Sequence, residues 1–222
     1  MIINHIISLG NNCDALFILK GLQNNIRVPG PVDNCLGNHN SIKTLLDGTF
    51  LDDIIKENIT YENDNNRFLN NSGLNIQHND FTQIKYKISL RERLLHLFQY
   101  IYNSQFDNSL WFIISISPFE SSIDELYQEI SNLPIYIKSK LIIAQGRKSV
   151  KFGIIHNIRE YPVFNIYDEF QKGNYQNEYI EEWSQLDSIK TVELFNDFLK
   201  NNLDFYNKLN NSNWDYLKLN SK

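Results

Sequence analysis

The chain has 222 residues and a net charge of −5 at pH 7, and 42% of its residues are hydrophobic. This is enough apolar material for one sizeable core, so we expect a single domain over residues 1–222. The acidic balance, with no basic run of about five or more residues in the sequence, argues against nucleic acid or an anionic membrane as a partner. No segment approaches the ~18 consecutive apolar residues of a membrane-spanning helix, and the first residues lack the pattern of a signal peptide. With only Cys13 and Cys35, nothing requires a disulfide, so a cytoplasmic protein with reduced thiols is predicted.

The first half of the chain predicts short elements. An isoleucine-rich run that ends at Gly10 indicates a buried strand. CDALFILKG then predicts a short apolar helix with Gly21 as its terminator, and VPGP predicts a turn. Two further short helices are expected in SIKTLLDG, capped by Ser41, and in FLDDIIKEN. A polar loop, ENDNNRFLNNSG, and a strand, LNIQHNDF, follow.

The second half alternates predicted helices and strands. Ser89 and Glu92 form the pattern of a capping box, before a helix with an apolar inner face made of Leu90, Leu94, Leu97, Phe98 and Ile101. A buried strand LWFIISI, a helix SSIDELYQEISN capped by Ser122 and a strand KLIIAQ predict a parallel crossover. KFGIIH and PVFNIY predict two more strands, and an amphipathic helix is expected at about 188–209. The predicted class is α/β or α+β, with a central mixed sheet and flanking helices.

Cys13 lies at the junction of the first predicted strand and the first predicted helix. A thiol is a good nucleophile only as the thiolate, and the ordinary thiol pKa is near ~8.5. Unpaired N–H groups at a helix N-terminus favour the anion, and Asn12 with nearby backbone amides can donate to an oxyanion. The neighbouring Asp14 opposes the thiolate unless its side chain turns toward the helix amides. Position alone is more typical of a small buried cysteine with a structural role.

The segment SLGNNCDALFILKGL resembles the opening motif, Ser-Leu-Gly-x-Asn-Cys-x-x-Ala, of a family of bacterial proteins described as papain-like cysteine peptidases. The family's Pro-Phe-Asp-Trp segment corresponds here to Pro31-Val32-Asp33-Asn34, and its histidine-containing strand corresponds to residues 76–81. An arginine-rich helix and a hydrophobic strand also match, so the likeness covers residues 5 to about 145. The resemblance implies a papain-like fold, with the cysteine at a helix N-terminus, and a thiol-dependent hydrolase. The two aromatic residues of the family's segment are replaced by Val32 and Asn34.

A thiol hydrolase needs an imidazole within hydrogen-bond reach and a group that orients the ring. Among the five histidines, His78 is the preferred base because it matches the family's histidine strand. Side chains on a strand repeat every two residues, so Asp80 shares the face of His78 and is the predicted orienter. Asp33 is the alternative orienter, and His156 is the competing base.

These residues predict a cysteine-dependent hydrolase or acyl transferase that acts on a peptide, a protein or a small acyl substrate. Hydrolysis and transfer differ only in the second nucleophile. The sequence contains no CxxC, HxxxH or HExxH spacing, so no metal ion and no other cofactor is predicted. Two alternatives stay open: a non-catalytic binding module that keeps the fold, favoured by the altered Pro-Val-Asp-Asn segment, and a carbohydrate-related transferase that uses carboxylates.

Overall fold

A computed structural model describes residues 3–10, 13–22, 26–31, 35–36, 40–56, 59–62, 67–70, 75–76, 83–117, 120, 122–172 and 186–210. The strands in these ranges are β1 (His5–Ser8), β2 (Arg27–Val28), β3 (Cys35–Leu36), β4 (Ile59–Glu62), β5 (Arg67–Asn70), β6 (Asn75–Ile76), β7 (Leu110–Ser115), β8 (Leu141–Gln145), β9 (Asn157–Ile158) and β10 (Tyr161–Asn165). The helices are α1 (Asp14–Gly21), α2 (Asn40–Leu46), α3 (Thr49–Ile55), α4 (Ile84–Ser104), α5 (Ile123–Asn132), α6 (Ile135–Lys138), α7 (Tyr167–Lys172), α8 (Ser188–Asn201) and α9 (203–210).

A six-stranded sheet in the order β2-β1-β7-β8-β10-β9 forms the centre of the structure. Neighbouring strands are parallel except for β9, which is antiparallel to β10. The predicted α/β class and central mixed sheet are therefore confirmed. The strands β7 and β8 are the LWFIIS and LIIAQ runs, and they are apolar up to their last residues, Ser115 and Gln145, because both faces of the sheet are covered.

Successive side chains of the central strands point into two separate cores. On one face, Ile6, Trp111 and Ile113 pack with Ile18 of α1 and Phe195 of α8. We call this the α1 face. On the opposite face, which we call the α4 face, the alternate strand residues pack with helices α2 to α6; this second core includes Ile7, Phe112, Ile114, Leu94, Leu126 and Ile137. The result is a doubly wound arrangement with helices on both sides of the sheet.

A second, antiparallel sheet in the order β3-β6-β5-β4 comes from the part of the chain between β2 and α4. The expectation of a polar loop at ENDNNRFLNNSG is wrong in part, because Glu62 and residues 67–70 of this stretch belong to paired strands. Two short runs lie next to the asparagines, ITYE and RFLN, and they contain aromatic and β-branched residues that are typical of strands. The assignment of the whole chain to one domain stays a prediction.

The long helix α4 confirms the predicted inner face but not the predicted start. Its buried residues include Leu90, Leu94, Leu97 and Ile101, whereas Phe98 is only partly buried. The helix begins at Ile84, so Ser89 and Glu92 lie inside it and form no capping box. The earlier start has a packing reason, because Tyr86 also packs against the core and lies one turn before Leu90. Among the helices that the structure describes, α4 included, none is both long and apolar enough to cross a membrane.

Local side chains explain the ends of other helices. Ser122 caps α5 as predicted, since its Oγ accepts a hydrogen bond from the Glu125 N–H at 3.1 Å. The single helix expected at about 188–209 is interrupted at Asn202, whose Nδ2 donates to the Phe198 carbonyl at 2.8 Å. Asparagine side chains compete in this way with the regular helical pattern. The interruption separates α8 from α9, which carries the buried Tyr206.

The strand predicted for KFGIIH is wrong, because none of residues 151–156 belongs to a strand of the central sheet. Ser149 and Gly153 exchange two backbone hydrogen bonds of 3.0 Å around a tight turn, and Gly153 has φ 71°. Glycine adopts this backbone conformation without the steric cost that other residues meet. Only Asn157–Ile158 pairs with β10, so β9 is a two-residue edge strand. The strand predicted for PVFNIY is confirmed as β10.

Candidate functional site

The strand order reverses its direction between β1 and β7, which are parallel neighbours. The chain leaves the carboxyl end of β1 for α1, on the α1 face, and leaves β7 for α5, on the α4 face. Because these two connections diverge to opposite faces, the carboxyl ends of β1 and β7 form a topological switch point. Open α/β sheets bind their ligands at such points. Cys13 lies in the connection that follows β1, one residue before α1.

The first part of this connection is held against β7 by the backbone. The Leu9 N–H donates to the Ile113 carbonyl at 2.9 Å, and the Ser115 N–H donates to the Gly10 carbonyl at 3.4 Å. The buried Ser8 Oγ accepts a hydrogen bond of 3.1 Å from the Gly10 N–H. Gly10 has φ 96°, a conformation that L-residues with side chains rarely adopt. The Ser-Leu-Gly part of the motif therefore has a structural role in turning the chain toward Cys13.

Cys13 occupies the N-cap position of α1 and carries a half-buried thiol. Its carbonyl accepts the first helical hydrogen bond, from the Phe17 N–H at 3.3 Å. The side chain packs beside the core of the α1 face. The structure thus places the thiol at the amino end of a helix, where N–H groups without helical partners and the positive end of the dipole favour an anion.

Asp14 is fully buried and pairs with Arg147, which follows β8. Arg147 Nε lies 2.9 Å from Oδ1 and 3.1 Å from Oδ2, and Nη2 lies 2.9 Å from Oδ1. Burial raises the pKa of Asp14, and the charge and hydrogen bonds of Arg147 act in the opposite direction. The sequence led us to expect that Asp14 either opposes the thiolate or turns to the helix amides. Asp14 instead forms an ion pair with Arg147, and the positive charge of Arg147 offsets the negative charge of Asp14 next to Cys13.

Sequence reasoning missed Arg147 because it lies 133 residues from its partner. One signal was available. Arg147 comes two residues after the predicted strand KLIIAQ, and the carboxyl ends of parallel strands meet at one edge of a sheet. A cation after this strand therefore lies on the same edge as the Cys13 connection.

A buried glutamine fixes the loop that carries Arg147. Gln145 Oε1 accepts hydrogen bonds from the Ile155 N–H at 2.8 Å and from Asn165 Nδ2 at 3.0 Å. Its Nε2 donates to the Gly153 carbonyl at 3.0 Å. These bonds join the two ends of the loop, Gln145 and Ile155, to each other, and they join Gln145 to Asn165 of β10. The position of Arg147 over α1 depends on this network as well as on Asp14.

The described histidines do not lie beside Cys13. His5 is at the amino end of β1, at the opposite edge of the sheet, and His96 is exposed on α4. His156 is exposed and immediately precedes β9. Four strand spacings separate β9 from β1, or about 19 Å. The structure therefore does not bring the competing base His156 to Cys13.

The other predicted site residues, Asn12, Asp33, His78 and Asp80, lie outside the described residues, and their roles stay predictions. His78 comes two residues after β6, in which Ile76 pairs with Cys35 of β3. Within the described part of the chain, no group of three histidine, cysteine or acidic side chains is arranged to hold a metal ion.

Comparisons of the chain with protein-family models, with curated proteins and with solved structures find no match. The resemblance that the Ser-Leu-Gly-x-Asn-Cys motif carries is thus an expectation from the motif alone. The functional conclusion has to come from the placement of Cys13, Asp14 and Arg147.

Proposed function

We propose that the chain is a thiol-dependent acyl hydrolase or acyl transferase in which Cys13 is the nucleophile. The observation that carries the proposal is the position of Cys13, at the start of α1 and at the switch point between β1 and β7. The papain-like feature in this proposal is the thiol at a helix N-terminus. In this chain the thiol lies at the edge of a mostly parallel sheet. Peptides, proteins and small acyl compounds are the proposed substrates.

Three features support a reactive thiol. The amino end of α1 favours a thiolate over a neutral thiol, as other helix N-termini do for cysteines. The carboxylate that is adjacent in sequence, Asp14, is engaged by Arg147 at 2.9 Å and so does not add an unbalanced negative charge. Cys13 is also only half buried, which leaves part of the side chain within reach of a substrate.

The proposed reaction has two steps. His78 takes the proton of the thiol, and Cys13 Sγ attacks the acyl carbon while the carbonyl electrons move to the oxygen. Backbone N–H groups near the start of α1, together with Asn12, donate to this oxyanion. Collapse of the intermediate forms a thioester, and the leaving group takes the proton from the His78 imidazolium.

In the second step His78 removes a proton from water, or from an amine or hydroxyl acceptor. The activated nucleophile attacks the thioester, and the Cys13 thiolate leaves and takes the proton from the His78 imidazolium. Asp80, or Asp33, orients the His78 ring in both steps. Water gives net hydrolysis, and the other acceptors give acyl transfer.

An acyl-enzyme experiment tests this proposal. We expect a Cys35→Ser chain treated with p-nitrophenyl acetate to release a stoichiometric burst of p-nitrophenolate and to carry an acetyl group on Cys13. The matched control, with Cys13→Ser in addition, is expected to show neither. Peptide mass spectrometry before and after neutral hydroxylamine, which cleaves thioesters, gives the measurement. Acetylation that is confined to lysines, or absent, contradicts the proposal.

A non-catalytic binding module is the second candidate. The observation that favours it is the distance of the described histidines from Cys13, together with Val32 and Asn34 in the altered segment. If the chain is such a module, we expect Cys13 to be alkylated at the rate of an ordinary thiol and to accumulate no acyl group. The same chains and the same acetyl probe therefore separate the two candidates.

A further inference from the structure

The connection between β8 and β9, residues 146–156, crosses the carboxyl edge of the sheet from one face to the other. We call this segment the β8–β9 loop. Near its start, Arg147 pairs with Asp14 in the first turn of α1, a helix that packs on the α1 face. Near its end, Ile155 packs into the core of the α4 face. The loop therefore spans the edge at which the switch point lies, and it contacts the residue that follows Cys13.

Hydrogen bonds within the β8–β9 loop define its conformation. Ser149 and Gly153 exchange two backbone bonds of 3.0 Å, and the Phe152 N–H donates to Ser149 Oγ at 3.2 Å. At the base of the loop, the buried Gln145 donates to the Gly153 carbonyl at 3.0 Å. Because Arg147 lies between these contacts, the conformation of the loop and the ion pair with α1 depend on each other.

Arg147 holds both oxygens of Asp14 next to Cys13. Asp14 is 0% exposed and lies in the first turn of α1, and Arg147 Nε is 2.9 and 3.1 Å from its two oxygens. If Arg147 moved away, an ionised Asp14 would raise the pKa of the thiol, since a like charge disfavours the thiolate. The carboxylate would also compete with the thiolate for the N–H groups at the start of α1.

The other described charged groups near α1 are remote from Cys13 or exposed. The elements that pack most closely against α1 are β1, β7 and α8. The ionisable side chain of β1, His5, lies at the opposite edge of the sheet, and β7 contains none. Glu120, in the loop after β7, interacts electrostatically with Glu129 of α5 on the α4 face. Lys148 and Lys151 extend along the β8–β9 loop itself. The charged side chains of α1 and α8, apart from Asp14, are exposed; they are Lys20, Lys190, Glu193, Asp197 and Lys200.

We propose that the β8–β9 loop controls the ionisation of Cys13, with Arg147 as a positioning residue that acts through Asp14. With the loop in place, the ion pair adds no net charge beside the thiol, and the helix N-terminus favours the thiolate. When the loop is displaced, the buried carboxylate disfavours the thiolate, and the thiol is protonated at neutral pH. This regulation rests on the proposed role of Cys13 as the nucleophile. It makes the reactivity of the thiol depend on a segment that contains neither Cys13 nor His78.

A cycle of charge removals at Asp14 and Arg147 tests the proposal. The rate at which iodoacetamide alkylates Cys13 is measured against pH in the Cys35→Ser chain. Arg147→Met is expected to move the midpoint upward by ~1 pH unit or more, the usual effect of an uncompensated charge nearby. Arg147→Lys keeps the positive charge and should recover most of this shift. Arg159→Met removes a cation from an exposed pair; it is the matched control and should leave the midpoint unchanged.

The double variant with Asp14→Asn and Arg147→Met separates charge from structure. It lacks both charges, so its midpoint is expected to return to within ~0.5 pH unit of the parent's, and Asp14→Asn alone should lie at or below the parent's. If Arg147 only held α1 in place, the double variant would keep the whole shift of Arg147→Met, and this result overturns the proposal. The double variant buries no unpaired charge, so it remains measurable where Arg147→Met is too unstable. Circular dichroism verifies that each variant is folded.

The role of the loop itself is tested at Gln145. Gln145→Met removes the three hydrogen bonds that close the loop and changes no charge. We expect the midpoint of Cys13 to rise by at least ~0.5 pH unit, and the same substitution to have no effect in the double variant, which has no ion pair to disturb. Asn165→Ala removes one of the three bonds and serves as the milder variant if Gln145→Met is unfolded. A midpoint that a folded loop variant leaves unchanged contradicts control by the loop.

These measurements report the ionisation of the thiol and not acyl transfer, so their failure is distinct from that of the proposed function. A chain that forms the acetyl-enzyme but shows no coupling between Cys13 and Arg147 would keep the nucleophile and lose the regulation. A chain that shows the coupling without acetylation would keep the control of the thiol and lose the hydrolase or transferase.

Discussion

Replacing Arg147 with Met is expected to lower the free energy of unfolding by about 3–5 kcal/mol, because the change leaves the carboxylate of Asp14 buried without its cation. Asp14 is 0% exposed, and its partner atoms lie 2.9–3.1 Å from its oxygens. Denaturant unfolding of the two proteins measures the difference. Arg159→Met is the matched control, since Arg159 pairs with Asp124 at 3.1 Å on the surface, where both side chains are exposed. Solvent screens the charges of an exposed pair of this kind, so the control should change little.

The effect of Arg147→Met should depend on pH in a defined direction. Burial raises the pKa of Asp14, and removal of Arg147 removes the interactions that lower it. A carboxyl group whose pKa is raised by folding contributes stability that is present at low pH and is lost as the pH rises through the folded value. The variant is therefore expected to lie closer to the unsubstituted protein at pH 5 than at pH 8. A loss of stability that is equal at both pH values, or no larger than that of Arg159→Met, contradicts this account.

Replacing Tyr206 with Ala is expected to cost about 3–5 kcal/mol, as other large-to-small changes of buried aromatic residues do. Tyr206 is fully buried, and its ring centroid lies 5.1 Å from that of Trp111 and 5.2 Å from that of Phe205. This residue joins α9 to the core of the α1 face, so its loss should leave a cavity where α9 packs. Thermal and denaturant unfolding both report the change.

Two controls separate packing from other effects of Tyr206→Ala. Tyr206→Phe keeps the ring and removes only a hydrogen bond to the Leu141 carbonyl at 3.4 Å, so about 1 kcal/mol is expected. Tyr102→Ala removes an exposed tyrosine from α4 and should be nearly neutral. If Tyr206→Ala proved as mild as Tyr102→Ala, α9 would not be part of the core.

Continuous apolar runs and local motifs explain what could be predicted from the sequence. LWFIISI and KLIIAQ are too apolar to face water on either side, and they form β7 and β8 in the middle of the sheet. The start of α5 could be predicted from Ser122 and Glu125, because an N-cap side chain accepts a hydrogen bond from a backbone N–H in the first turn of the helix. The place of Cys13 followed from the strand before it and the apolar helix after it, both of which are local signals.

The features that could not be predicted depend on contacts between segments that are far apart in the sequence or that lack a clear hydrophobic pattern. No local pattern connects Asp14 with Arg147, since the contact exists only because β1 and β8 lie in one parallel sheet. The strand β4 pairs with β5, and β5 pairs with β6, whereas the asparagine-rich sequence around β5 favoured a loop. The amphipathic pattern of the sequence continues on both sides of Asn202. One side-chain hydrogen bond of Asn202 interrupts the helix at this point.

The measurement that tests the role of Cys13 most directly is its rate of alkylation by iodoacetamide as a function of pH. The Cys35→Ser chain reports Cys13 alone, and the Cys13→Ser chain reports Cys35 as an internal reference. We expect the Cys13 profile to have its midpoint below the ~8.5 of an ordinary thiol, and His78→Gln to move that midpoint upward. A Cys13 profile with a midpoint at or above ~8.5, and unchanged by His78→Gln, would contradict a catalytic thiol at this site.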